Sequence, residues 1–210
     1  RPDIAFAVSQ LARHLESPGE KHYIALKRLL RYLQKTKNYC LRYNKGGDEM
    51  ALEGYADADF AGDKEDRRST SGYVFTLAGA AVSWKVKKQT IVAFSTCEAE
   101  VIALSYACRE ALWYHKMLVE LGLLQQDNKA ITIYEDNQGC ICVAKDNKLS
   151  DRNKHIQVVH LFCQQAVDMG KVNVQYIKTD QQVADMNTKP LGPQALARCV
   201  RKAGVCNASV

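Results

Sequence analysis

The stretch Gly54 to Gly62, read Gly-Tyr-Ala-Asp-Ala-Asp-Phe-Ala-Gly, limits the fold more than any other part of the chain. The runs on either side, Met50-Ala51-Leu52 and Gly72-Tyr73-Val74-Phe75-Thr76-Leu77, read as strands: short, β-branched and aromatic, bounded by glycine. The stretch between them enters as a strand and leaves as a turn. A strand flanked by strands is buried on at least one face, where aspartate is a poor guest. Asp57 and Asp59 are two apart and therefore share a face. Two carboxylates on one face repel and are costly to desolvate unless a cation neutralises them. Taken alone, the stretch is better read the simpler way: the strand stops at Ala56 and both aspartates sit in a solvated turn.

The rest of the chain bears on that choice. Its 210 residues suffice for one sizeable domain with an appendage, or for two small ones. With 47% hydrophobic and 25% charged residues the balance is globular rather than disordered. No apolar run is long enough to span a bilayer and no signal peptide precedes Arg1, so no membrane partner is expected. An opening residue other than Met reads as a piece of a longer polypeptide or an expressed fragment. The eight cysteines include no C-x-x-C pair and several fall in apolar runs. Reduced, buried thiols are therefore expected rather than disulfides or zinc, which points to an intracellular compartment. Residues 1–50 carry ten Lys/Arg against five Asp/Glu, whereas the other 160 carry nineteen against eighteen. A basic segment joined to a near-neutral part rich in carboxylates suits a polyanion gripped by one and processed by the other.

In chain order, Pro2-Asp3 opens a helix and Ser17-Pro18-Gly19 ends it. A second helix, roughly Glu20 to Lys35, carries the stripe Leu26, Leu29, Leu30, Leu33, with Lys21, Lys27, Arg28, Arg31 and Lys35 crowding its other side. That basic side is either a solvated face or a phosphate-contacting one. Asn44 to Asp48 reads as a linker, and a domain boundary is placed there. After the polar loop Asp63 to Ser71 comes a hairpin whose second strand ends in Trp84-Lys85-Val86-Lys87-Lys88-Gln89, an aromatic among lysines. Ser95-Thr96-Cys97-Glu98 fits a capping box at the start of the longest helix, which gives Glu98 a structural task. Glu100 has none, and it lies with Ala103, Leu104 and Ala107 on the side that should face the sheet. Ala130–Tyr134 is a strand closed by Glu135-Asp136-Asn137, in which alternation puts Glu135 with Ile131 and Ile133 and Asp136 with Tyr134. Helices over 138–144 and about 154–169, a strand over 171–177, a short helix carrying Asp185 and a last helix over 193–202 complete the reading.

Four acids thus arrive from four separate elements, two of them at strand ends. Such convergence suits divalent ions that take hard oxygen ligands. Two of them about 4 Å apart can activate a water and stabilise a leaving oxygen on a phosphodiester.

From Pro2 to Leu191 the chain resembles the end of the Pol polyprotein of copia-type LTR retrotransposons, the last helices of reverse transcriptase followed by RNase H. The resemblance is carried by Arg1-Pro2-Asp3-Ile4, Leu30–Leu33, Tyr55–Gly62, Arg67–Gly72, Ser83-Trp84-Lys85, Lys87–Gln89, Glu98-Ala99-Glu100, Asp136-Asn137-Gln138, Lys154-His155-Ile156, Ala184-Asp185 and Thr188–Leu191, in this order. It implies an α/β RNase H-like fold: a mixed five-stranded sheet ordered 3-2-1-4-5, flanked by helices and preceded by two more. Residues 1–48 would be the remnant of reverse transcriptase, 49–191 the RNase H domain and 192–210 a C-terminal helix and tail.

The implied activity is metal-dependent hydrolysis of the RNA strand of an RNA–DNA hybrid, with two Mg²⁺ ions for which Mn²⁺ can substitute. Carried over by position, the ligands are Asp57, Glu100, Asp136 and Asp185, with Asp59 a second choice for Asp57. Asn137 and Gln138 match positions that contact the RNA strand, and Arg67, Arg68, Trp84, Lys87, Lys88, Lys154 and His155 complete the implied substrate surface. The remainder of the polyprotein is the implied partner, the isolated domain a monomer, and the setting cytoplasm, virus-like particle or nucleus. Segment 150–157, Val86, Phe94 and Val101 depart from the family pattern and bear on substrate grip and turnover more than on metal binding. They keep open a catalytically weak, co-opted copy that acts as a nucleic-acid-binding or structural module. Tyr134-Glu135-Asp136-Asn137 lacks the second Asp of a polymerase motif, and His155 and His160 lie too far from any cysteine pair for zinc.

Overall fold

The structure, a computed structural model, describes residues 1–44, 51–123, 130–145 and 157–208. Its centre is β2, Glu53–Asp59, whose small and polar side chains are tolerated because elements close over both faces. On one side β2 pairs antiparallel with β3, Thr70–Leu77, which pairs in turn with β4, Ala80–Lys88. On the other it runs parallel to β5, Ile131–Glu135, which is parallel to β6, Val172–Tyr176. The sheet order β4-β3-β2-β5-β6 is the expected 3-2-1-4-5 arrangement of the five central strands.

The strand does not stop at Ala56. Pairing with β3 continues to Asp59 opposite Thr70, so Asp57 lies inside the sheet at 1% exposure. The solvated-turn alternative fails because β3 supplies backbone partners for these residues. β4 runs on to Lys88, and just beyond it Gln89 N donates to Ser69 O at 2.8 Å.

Helix α3, Thr96–Glu120, crosses one face. Leu104, Ala107, Cys108 and Ala111 bury completely against Ala56, Phe75 and Ile133, while Ala103 and Ala99 pack with Ala58 and Ala93. Helices α4, Gln138–Lys145, and α5, Gln157–Asp168, extend this core through Cys140, Ala144, Cys163 and Ala166. A second cluster on the opposite face joins Val74, Ala81, Val183 and Met186 to α7, Pro193–Lys202. Short helix α6, Asp185–Thr188, sits between, tight against β3. A Cβ on Gly72 would lie 2.7 Å from Thr188 Cγ2 and 2.9 Å from Asn187 Cβ, so only glycine lets α6 approach this closely. Asn187 Nδ2 donates to Tyr73 O at 2.9 Å and fixes the contact.

The N-terminal segment packs onto this body. Helix α1, Ala5–Ala12, lies against β4 and α6, and Arg13 Nη1 meets Asp63 Oδ2 at 3.3 Å. β1, Tyr39–Leu41, pairs antiparallel with β7, Val205–Asn207, a strand absent from the sequence expectation because three residues carry too little periodicity. Tyr43 Oη donates to Ala81 O at 2.8 Å. The expected boundary at residue 48 falls in 45–50, outside the described residues, and these contacts cross it. Helix α2, Glu20–Lys35, forms as expected, yet its stripe is not core: Leu26 and Leu30 are exposed and Leu29 and Leu33 half-buried among the described residues. No helix among the described residues is long and apolar enough to cross a membrane.

Candidate metal centre

Strands β2 and β5 run side by side through Tyr55 and Tyr134 and then part. Asp57 lies just beyond that fork on β2, and Asp136 directly follows β5. Glu100 enters one turn into α3, whose start is fixed by Ser95 Oγ accepting from Glu98 N at 3.2 Å. Glu98 Oε2 accepts from Phe94 N at 2.7 Å, so the expected capping task is real but reaches one residue further back. Each of Asp57, Glu100 and Asp136 offers an oxygen within 4.8 Å of the other two.

Asp185, at the start of α6, reaches this group from the other side through Lys189. The Lys189 Nζ stands 2.8 Å from Asp185 Oδ1 and 3.6 Å from Asp57 Oδ2. Thr188 Oγ1 donates to Asp57 Oδ2. The four acids named from the resemblance are therefore neighbours: three converge and the fourth is tied to them by a lysine. Asp59, the second choice, lies outside the convergent trio and is half-buried beside the turn at Gly62.

Burial dominates the electrostatics. It pushes the Asp57 carboxyl up to about 7, with Lys189 opposing, Asp185 adding, Thr188 opposing and Asp136 adding. Burial drives Glu100 well above the carboxylate range, helped by Glu135, Asp57 and Asp136. Asp185 is raised mainly by burial, against the pull of Lys189. Lys189 loses to its own burial but is raised on balance by Asp57 and Asp185. These shifts describe carboxylates held together without enough positive charge.

Two residues of the centre carried no functional reading at the level of sequence. Glu135 is fully buried and driven far up by burial, with Asp57 and Asp136 pushing the same way. Its Oε1 accepts from Asn137 N at 3.1 Å while Oε2 has no partner. Strand alternation had placed it on the core face, and that was the signal. Lys189 had no such signal, because only the fold brings residue 189 to residue 57.

Glu100 Oε2 is also buried and unpartnered. Orphaned buried carboxylate oxygens beside converging hard oxygen donors fit a divalent cation of the Mg²⁺ or Mn²⁺ kind better than a softer metal.

The expected substrate residues are more scattered. Asn137 Oδ1 accepts from Cys140 N at 2.9 Å and so caps α4, while Gln138 is exposed beside Asp136. Lys87 Nζ sits 4.7 Å from the Tyr106 ring centre. Lys88 is held by Asp63 at 2.5 Å and Asp66 at 2.9 Å, and Arg68 lies 3.6 Å from the same Asp66. Arg67 is exposed in the same loop with φ +58°, and Trp84 packs on the second cluster on the α7 side of the sheet. The fold does not bring Trp84 or Lys88 to the carboxylates. Lys154, His155 and most of segment 150–157 fall outside the described residues. Of the other departures, Val101 is core, Val86 lies half-buried opposite Gly72 and Phe94 is exposed.

A sheet of this order, crossed by one long helix and carrying acids at the ends of its central strands, defines an RNase H-type domain. LC11-RNase H1, isolated from compost by a metagenomic approach, superposes with a TM-score of 0.50 at 13% identity, over 72% of this chain and 99% of its own. No protein-family model matches the chain. The retrovirus-related Pol polyprotein from transposon TNT 1-94 of Nicotiana tabacum is 42% identical over 98% of this chain, which spans 15% of that relative's length. Secreted RxLR effector protein 161 of Plasmopara viticola is 53% identical over 54% of this chain and 79% of its own. The chain belongs to the retrovirus-related Pol polyproteins of transposons, of which it represents the RNase H-type region.

Proposed function

We propose that the chain is the ribonuclease H of a copia-type retrotransposon Pol polyprotein, a metal-dependent endonuclease that hydrolyses the RNA strand of RNA–DNA hybrids. The observation that carries this reading is the convergence of Asp57, Glu100 and Asp136 within 4.8 Å, with a buried Glu100 oxygen lacking any partner. Mg²⁺, or Mn²⁺ in its place, would be held by these three and by Asp185, two ions being the reading the family supports. When bound, such ions activate a water and stabilise the leaving oxygen of the phosphodiester.

The chain's own residues prepare that chemistry. Thr188 and Lys189 orient Asp57, and the N-terminal end of α3 aims Glu100 inward. The fork between β2 and β5 gives Asp57 and Asp136 a common opening. Gln138, exposed beside Asp136, would hydrogen-bond a 2′-hydroxyl, a group that DNA lacks. The hybrid, the rest of the polyprotein and an intracellular setting are the partners and place this reading implies.

Incubation of a labelled hybrid with the protein, with and without Mg²⁺ or Mn²⁺, tests the reading. Metal-dependent cutting of the RNA strand alone is expected. Retained hybrid binding without cutting in either metal would replace this reading by a second one, a folded module that binds nucleic acid. Lys189 favours that second reading, because its ammonium already neutralises Asp57 and Asp185 in part and lets the fold stand without an ion.

A further inference from the structure

Gln182 has no part in the chemistry above, yet it is 1% exposed and sits at the fork between the two strands that carry Asp57 and Asp136. Once β2 and β5 stop pairing after Tyr55 and Tyr134, the next carbonyls lose their ladder partners. The Gln182 carboxamide fills that gap. Its Nε2 donates to Ala56 O at 2.9 Å and, more weakly, to Tyr134 O at 3.4 Å. Its Oε1 accepts from Ala184 N at 3.2 Å. One amide thus touches the residue before Asp57, the residue two before Asp136 and the residue before Asp185.

We propose that Gln182 is a positioning residue that sets the opening between Asp57 and Asp136 and docks Asp185 beside them. The proposal rests on the metal-centre reading above, and its physical basis is bond geometry. A planar amide with two donors and one acceptor has a fixed reach, so the spacing of three chain segments is fixed by one side chain. The bonds to Ala56 O and Ala184 N are buried and the one to Tyr134 O partly so, and a hydrophobic replacement would leave these groups unsatisfied or let the strands close. Outer partners that orient metal ligands commonly contribute 10–100-fold to affinity or activity.

The test compares wild type with Gln182→Met, which keeps length and removes every hydrogen bond. Gln182→Asn, one methylene short of the carbonyls, takes its place if the Met variant does not fold. Gln164→Met is the control. Gln164 is also buried, and its amide bonds Val143 O on α4 at 3.1 Å, in the core away from the carboxylates. Mn²⁺ affinity is read by calorimetry, hybrid cleavage by kcat and KM, and backbone opening by hydrogen exchange. Gln182→Met should bind Mn²⁺ about tenfold more weakly and lose about tenfold in kcat with KM within about twofold. Exchange should quicken over 53–60 and 131–138 and stay unchanged over 72–88.

Gln164→Met should keep wild-type Mn²⁺ affinity at a similar loss in Tm. Wild-type affinity and kcat in Gln182→Met, or an equal loss of affinity in Gln164→Met, would overturn the proposal. Wild type that neither binds Mn²⁺ nor cuts the hybrid would end the nuclease reading instead. Hydrogen exchange then decides: quickening confined to the fork upholds Gln182, and a uniform or absent change refutes it.

Discussion

Asp57 and Lys189 show how a residue's surroundings become a measurable property. Folded Asp57 keeps its proton up to about pH 7, whereas an unfolded aspartate gives it up near 4. The folded state therefore binds more protons across that window, and metal-free stability falls as pH rises from about 4 to 7. In EDTA, Asp57→Asn is expected to melt higher than wild type at pH 7.5, with the gap closing toward pH 5. Subtracting the two curves cancels His115, whose lowered pKa, caused by burial and Lys171, is common to both. The same variant should lose hybrid cleavage. Lower stability in EDTA combined with retained activity would make Asp57 structural. Lys189→Met should act in the opposite sense, lowering metal-free Tm most at high pH, because it strips the ammonium that lies between Asp57 and Asp185.

At the scale of elements, the ends of strands and helices set the centre. Much of this was legible in the sequence. The Gly-bounded aspartate strand, the Glu100 helix side and the Asp136 strand end were read from alternation and helical spacing, since period 2 and period 3.6 survive into the folded state. The length of β2 was not legible, because pairing to β3 through Asp59 depends on a register that local sequence does not encode. Gln182 and Lys189 were invisible for the same reason: their partners lie 126 and 132 positions away. Asn137 illustrates a function and a structural task on adjacent residues. It caps α4, so Asn137→Ala should cost about 1 kcal/mol of stability, read as a Tm about 2–4 °C lower. Gln138 makes no cap, and Gln138→Ala should leave Tm alone while slowing hybrid cleavage roughly tenfold, the worth of one net hydrogen bond. A Gln138→Ala enzyme of wild-type rate would remove it from the substrate surface.

Across the whole molecule, charge and connectivity pull the N-terminal segment in two directions. Its basic excess suits a nucleic-acid grip, and Lys27, Arg28 and Arg31 line an exposed side of α2. Deleting the segment is a poor probe of that grip, since Tyr39 and Leu41 pack on the second cluster and Tyr43 bonds Ala81. Such a deletion is expected to lower Tm as well as binding. Replacing Lys27, Arg28 and Arg31 by Gln keeps those contacts. If all three meet phosphate, the slope of log affinity against log salt should shallow by about 0.9 for each, taking hybrid as similar to duplex DNA. An unchanged slope would mark a solvated face.

The ribbon formed by β1 and β7 also has a bearing on synthesis. Residues 39–41 leave the ribosome more than a hundred and sixty positions ahead of their partners at 205–207, and Cys40 faces Cys206 across the ribbon with sulfurs 4.0 Å apart. While it waits, the earlier strand presents an unpaired edge beside the apolar side chains of Tyr39 and Leu41. During synthesis the most exposed moment comes before that closing strand emerges, and a nascent polypeptide stalled just short of residue 205 should be its most chaperone-dependent and protease-sensitive form.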